Sequence, residues 1–310
     1  MKGFAILSKI YHKINYISRT IIVNCSLVIL AIFKKADTKY ILICYPLGDT
    51  CYGLAFSDSL QSKYKCKYVI CNNHKELVIN CYPRINIKDV FFYEKKSILN
   101  DLVLYCNFHS YINRIYGKYN ILATTPYAYY KSTDYITESY LNYLRGVFNL
   151  DKNALPTRPY HKYKESMIKG KIAILNPYSN SMEVDNIEYW QTLVNYLNLN
   201  GYTVYTNVIN KQRVIEGSLP LNCSIFDLYS IVNENNALVV SIRSGIIDFL
   251  IDSNAFFLII YYSDERIPSR SLKNFCNLTK WEHGKKNVVE LMSTDTNLRE
   301  KTISCINNYI

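Results

Sequence analysis

From Asp37 onward, short apolar runs alternate with stretches whose apolar residues recur at helical spacing. Tyr40–Tyr45 (YILICY) predicts a buried strand, and Thr50 to Tyr64 a helix. Lys67–Cys71 (KYVIC), Asp89–Tyr93 (DVFFY) and Asn120–Thr124 (NILAT) predict further strands with helical connections, closed by a helix over Thr133–Phe148. Residues 151–170 are polar, lack periodicity and contain Pro156, Pro159 and Gly170, so they read as a linker. The alternation then restarts. Strands are predicted at Lys171–Leu175 (KIAIL), Tyr202–Thr206 (YTVYT), Ala237–Ser241 (ALVVS) and Ala255–Tyr261 (AFFLIIY). Helices are predicted at Val184–Asn200, stopped by Gly201, at Ile225–Val232, at Ser244–Ile251 and from Thr296 to the end. Strands separated by helix-length segments imply parallel β-α-β units. The expectation is an α/β chain of two Rossmann-like parallel-sheet domains, residues 37–150 and 171–310, facing each other across a cleft.

Residues 1–36 differ from the rest. Leu7, Ile10, Ile14, Ile17 and Ile21 share one helical face, with Lys2, Lys9 and Lys13 largely away from it. The apolar run from Thr20 to Phe33 is 14 residues long, short of the roughly 20 that span a bilayer. No small-residue cleavage site follows it. Either this amphipathic segment lies on an anionic membrane surface, or it packs on the body of the protein. Charge favours the membrane. The chain carries 36 basic and 25 acidic residues, a net charge of +11, and residues 1–36 hold six of the basic residues and no carboxylate. The remainder is nearly balanced, which is not the spread of charge that a nucleic-acid-binding face needs. The location expected is cytoplasmic, peripheral on the inner face of the cell membrane.

Composition removes other classes. With 49% hydrophobic residues and only 10 Gly and 8 Pro in 310 positions, the chain is neither disordered nor collagen-like. The 30 tyrosines accompany abundant Ile, Asn and Lys, a codon bias rather than a stacking surface. The ten cysteines fall singly in mostly apolar runs with no CxxC pair, so buried free thiols in a reducing compartment are expected. Five scattered histidines give no metal-binding spacing.

Chemistry is expected where strands end. In Pro46-Leu47-Gly48-Asp49-Thr50, Gly48 would allow a tight turn, and Asp49 either caps the next helix or serves as a carboxylate that takes a proton from an attacking hydroxyl. In Ser241-Ile242-Arg243-Ser244-Gly245, Ser244 would open a helix whose free N–H groups, with the forked Arg243, suit a phosphate; a surface arginine beside an ordinary cap is the alternative. Asp248 is expected to support that helix's first turn. The polar turn Asn176-Pro177-Tyr178-Ser179-Asn180-Ser181 would hold a diphosphate, an acceptor or nothing. GxGxxG, GxxxxGK[ST] and GxSxG are all missing.

YPLGDTCYGLAFSDSLQSKY resembles the opening of heptosyltransferase-like enzymes of glycosyltransferase family nine, which have the GT-B fold. ILNPYS, Trp190 near a helix start, GYTVYTN, SIFDLYSIV and ALVVSIRSGIIDFL follow in the family's order over most of residues 40–265. The resemblance implies transfer of a sugar from a nucleotide-activated donor to a polysaccharide, lipopolysaccharide or lipid-linked acceptor, with inversion, without metal and without a cofactor. It makes Asp49 the base. It assigns Tyr178, Ser179, Asn207, Ser244 and Gly245 to donor binding, and Gly48, Thr50 and Arg243 are expected to join them there. The chain departs from the family at Arg243, where an acidic or small residue is usual. It departs again at SNSMEVDNIEYW, which lacks the usual lysine, so Arg243 is expected to replace the missing charge for a donor other than ADP-heptose. An epimerase of the same fold and an inactive membrane-associated binding protein are the competing readings.

Overall fold

The computed structural model describes residues 21, 38–108, 121–124, 140–157, 159–161, 165–166, 168–179, 186–209, 212–261 and 287–309. The basic amphipathic segment expected at residues 1–36 lies outside them except for Ile21. Among the described residues no helix is long and apolar enough to cross a membrane. The chain forms two compact units, Met1–Tyr160 and His161–Ile310.

The first unit holds β1 (Thr38–Leu42), β2 (Lys65–Cys71), β3 (Val90–Tyr93) and β4 (Ile121–Ala123) in a parallel sheet of order β3-β2-β1-β4. Alternation along the strands sends Leu42, Cys44, Val69, Cys71 and Tyr93 into one cluster. There they meet Leu102, Val103 and Cys106 of α4 (Ile98–Phe108). Ile41, Ile43, Tyr68 and Ile70, on the other side of the pleat, are buried as well.

The single helix expected over Thr50–Tyr64 is two: α1 (Leu47–Gly53) and α2 (Ser57–Lys63). Leu54, Ala55 and Phe56 between them are all buried. Three consecutive residues cannot share one helical face, so breaking the helix lets all three enter the core. Phe56 meets the edge of the Phe148 ring and lies beneath the Arg145 guanidinium. Lys75–Cys81 forms α3, and Tyr140–Val147 forms α5; residues 133–139 of the predicted helix lie outside the described residues.

The second unit is one six-stranded parallel sheet. Its strands are β5 (Ile172–Asn176), β6 (Thr203–Asn207), β7 (Leu219–Leu221), β8 (Leu238–Ile242), β9 (Phe256–Tyr261) and β10 (Val288–Met292), ordered β10-β9-β8-β5-β6-β7. Counted from β5 this is the doubly wound order 3-2-1-4-5-6, which reverses direction between β5 and β8. β7 and β10 were not predicted. β7 contains Pro220, tolerated because the strand is an edge. Around the sheet lie α6 (Ile187–Leu199), α7 (Ile225–Glu234), α8 (Gly245–Leu250) and α9 (Leu298–Asn307). Asn186 Oδ1 accepts from Tyr189 N at 2.9 Å to start α6, and Gly201 at φ +76° ends it, as predicted. Trp190, Leu193, Val194 and Leu197 of α6 pack on Ala173, Leu175, Val204 and Val240.

Of the eight described cysteines, six are buried. Burial pushes the Cys66 thiol up to about 11 and those of Cys81 and Cys106 up to about 12, so they are inert packing groups.

Gly53 fixes how closely α1 approaches the first sheet. A Cβ there would lie 2.8 Å from Ile43 Cδ1 and 2.9 Å from Thr124 Oγ1. Gly53→Ala should destabilise the protein by about 1–3 kcal/mol through overpacking. Urea unfolding reads this as a lower midpoint at constant slope. An unchanged midpoint would show that α1 can back away freely.

Candidate functional site

In the first unit, the polar groups gather at the carboxyl ends of the strands. Chain leaving β1 turns directly into α1, whose N-terminal flank is Pro46. Gly48 is the second helical residue, not a tight turn; among the described residues only Gly170, Gly201 and Gly217 take positive φ as glycines. Asp49 is the third helical residue and half-buried, so it does not occupy the capping position. A carboxylate in the first turn is favoured there by the helix dipole.

Thr50 is fully buried, and its hydroxyl is 2.7 Å from His74 Nδ1, at the end of β2. Its contacts to the Cys44 and Pro46 carbonyls are longer, at 3.4 and 3.3 Å. Burial, helped by Lys95, lowers the His74 pKa to about 4, so the imidazole is neutral at pH 7. Tyr93 donates to the Ile43 carbonyl at 2.9 Å. Burial holds its pKa well above the ordinary range, with Cys44, Cys71 and Asp49 adding to the rise. Asn72 donates to Glu94 Oε1 at 2.8 Å, and Lys95 lies 5.0 Å from the centre of the Tyr45 ring. His74 is the residue that sequence reasoning missed; its one signal was its place just past the strand KYVIC.

In the second unit a chain of hydrogen bonds crosses the ends of three adjacent strands. Asn207, ending β6, donates from Nδ2 to Asn176 Oδ1 at 3.0 Å. Asn176, ending β5, donates from Nδ2 to Ser241 Oγ at 2.8 Å and to Ser244 Oγ at 3.0 Å. Ser241 donates to the Ile242 carbonyl at 2.6 Å. These groups sit where the strand order reverses, the place where doubly wound sheets bind ligands. The structure thus brings Asn207, Ser244 and Gly245 together. Tyr178 follows β5 and donates to the Arg213 carbonyl at 2.6 Å, with Ser179 next to it. Asn176 had been read only as part of a polar turn.

Arg243 sits differently from the expected open fork. Its Nη1 and Nη2 donate to Asp248 Oδ2 and Oδ1 at 3.0 and 2.7 Å, and Nη1 also reaches the Ser244 carbonyl at 2.8 Å. The two side chains are 10% and 4% exposed. Asp248 therefore neutralises the arginine as well as sitting in the first turn of α8, a helix of only six residues.

With this geometry in hand, solved structures supply a fold comparison. The heptosyltransferase WaaC of E. coli, with ADP-2-deoxy-2-fluoro heptose, superposes at TM-score 0.52 and 11% identity over 88% of this chain and all of that one. A family 9 glycosyltransferase from Veillonella parvula superposes at 0.50 and 13% identity, over 86% of this chain and 89% of that one. The dodecameric iron-containing heptosyltransferase TibC, in complex with ADP-D-β-D-heptose, superposes at 0.50 and 11% identity over 83% of this chain. This chain spans about three fifths of the length of the TibC structures, 59% and 63%. No family profile and no curated protein matches the sequence.

The likeness establishes the α/β fold with its two parallel sheets. It also corrects one expectation. A site without metal or cofactor is not the rule for this fold, because TibC is iron-containing. Among the described residues no three of His, Cys, Asp and Glu are placed to hold a metal ion.

Two outcomes follow from these environments. Arg243→Ala should cost about 3–5 kcal/mol by stranding the buried Asp248 carboxylate, whereas Arg243→Ala with Asp248→Asn should recover part of it. Equal losses in both would show that the pair is not what holds this loop. For His74, the unfolded imidazole binds a proton near pH 6.5, before the folded one does near 4. Its share of stability is present above pH 6.5 and is lost as pH falls toward 4, at about 1.4 kcal/mol per pH unit. His74→Asn should flatten the stability profile by about that slope across this window. Parallel profiles for the two proteins would place His74 in water.

Proposed function

We propose that the protein is a glycosyltransferase that moves a sugar from a nucleotide-activated donor to a hydroxyl of a glycan or lipid-linked acceptor. The observation that carries this reading is the Asn207–Asn176–Ser244 chain at the reversal point of the second sheet. It presents hydroxyl and amide groups where a doubly wound sheet receives a nucleotide. The fold likeness to WaaC and TibC, which bind ADP-heptose or its analogue, supports the same assignment.

In this reading the first unit supplies the base. Asp49 stands half-buried in the first turn of α1, and the helix's capping position is filled by Pro46. The Asp49 carboxylate takes the proton of the acceptor hydroxyl as that oxygen attacks the anomeric carbon. The bond from that carbon to the diphosphate breaks, the electron pair leaves with the nucleoside diphosphate, and the anomeric configuration inverts. Gly48 and Thr50 flank Asp49, and Tyr178, Ser179, Asn207, Ser244 and Gly245 face the donor. Arg243, paired with Asp248, serves this site by holding the Ser244 carbonyl. Peripheral attachment to the inner face of the cell membrane is supported by the acid-free basic segment 1–36.

Release of nucleoside diphosphate from a panel of nucleotide sugars, with lipid-linked and soluble glycan acceptors, tests the reading. Asp49→Asn should lower turnover by roughly 10²–10⁴-fold with donor affinity nearly intact and the fold retained. Equal turnover by wild type and variant would remove Asp49 from the chemistry.

A further inference from the structure

The proton count at the reversal point leads further. Asn176 is nearly buried, at 6% exposure, and both hydrogens of its amide are spent: one on Ser241 Oγ at 2.8 Å, one on Ser244 Oγ at 3.0 Å. Its Oδ1 is filled by the Asn207 amide at 3.0 Å. Ser241 is fully buried and gives its own hydrogen to the Ile242 carbonyl at 2.6 Å. Ser244 differs. It is half-buried, flanks α8 without bonding the helix through its side chain, and accepts from Asn176. A hydroxyl that accepts from an amide keeps its own hydrogen to donate elsewhere. Asn207 likewise keeps its second amide hydrogen.

We propose that Asn176 is a positioning residue: by donating to Ser244 Oγ from below, it turns the Ser244 hydroxyl hydrogen outward, toward an oxygen of the donor diphosphate. The inference rests on the reading of the second unit as the donor side. It adds a residue that itself touches no ligand and acts through Ser244. Diphosphate oxygens only accept, so a hydroxyl committed to donating suits them. Were Ser244 to donate inward, its oxygen lone pairs would face the diphosphate and repel it.

Nucleotide affinity in a double-mutant cycle between Asn176 and Ser244 tests this. The probe is whichever of ADP, UDP and GDP binds wild type most tightly by calorimetry. Asn176→Ala should weaken it about 10-fold, the scale of one hydrogen bond to a charged group. In a Ser244→Ala background the same change should cost less than about 2-fold, because the hydroxyl it aims is gone. Simple loss of packing would weaken binding equally in both backgrounds, and that result overturns the proposal. Asn176→Asp guards against a misfolded alanine variant. Aspartate can accept from Asn207 and from both serines, Ser241 turning its hydrogen away from the Ile242 carbonyl to do so, and the Ser244 hydrogen then turns inward. Its loss should exceed the loss in the Ser244→Ala background, where only the added negative charge acts; equal losses again overturn the proposal. If wild type binds none of the three diphosphates, the donor-side reading itself fails, and this proposal with it.

Discussion

The amide of Asn176 ties together the ends of β5, β6 and β8, and the chemistry available to the second unit follows from that fact. β5, β8 and β9 are buried along their whole length, and β5 and β8 admit polar side chains, Asn176 and Ser241, only near their carboxyl ends. Polar groups collect where the strands stop. An unpaired amide or hydroxyl there would cost about 1–3 kcal/mol. Asn176, Asn207 and Ser241 are almost fully covered, and each is bonded to another of the set. The parallel sheet creates the need for this network, and it lies at the reversal between β5 and β8, where doubly wound sheets in general receive their ligands.

The first unit solves the same problem by different means. Its polar groups also lie past the strand ends, but a helix–strand approach rather than an amide chain sets their places. Gly53 lets α1 close onto Ile43 and Thr124, which buries Thr50 and turns its hydroxyl onto His74. Asp49, one residue earlier on α1, stays half-buried as a consequence. The desolvation that keeps His74 neutral leaves the Thr50 hydroxyl paired with an uncharged ring.

Much of this was legible in the apolar pattern, and the misses share one cause. Runs such as KIAIL and AFFLIIY marked strands because burial on both faces demands continuous apolar residues. YTVYT did so by alternation. The short edge strand β7 escaped because Leu219 and Pro220 are exposed and carry no such demand. The break between α1 and α2 escaped because periodicity scores faces, whereas Leu54, Ala55 and Phe56 are buried by a change of direction. At the site, Asp49 and Ser244 were visible because strand-to-helix turns are visible. His74 and Asn176 became meaningful only through partners 24, 65 and 68 positions away. Arg243 was visible as a charge, but its pairing with Asp248 was not, since nothing in a loop's sequence says whether a guanidinium faces solvent or its own helix.

That pairing decides the electrostatic character of the proposed donor side. Had Arg243 been open, the diphosphate would meet a full positive charge, and long-range attraction would govern its capture. With Asp248 bound at both terminal nitrogens, the pair is neutral and serves as a brace for the Ser244 carbonyl. Under the proposed function, recognition of a diphosphate by this loop would fall to dipoles: the Ser244 hydroxyl, the Asn207 amide and backbone N–H groups. Dipoles are worth little in water and more where water is excluded, and they act only when aimed. A proposed donor site whose one arginine is paired would therefore depend on orientation, and the buried Asn176 amide bonded to the Ser244 hydroxyl is the group placed to supply it.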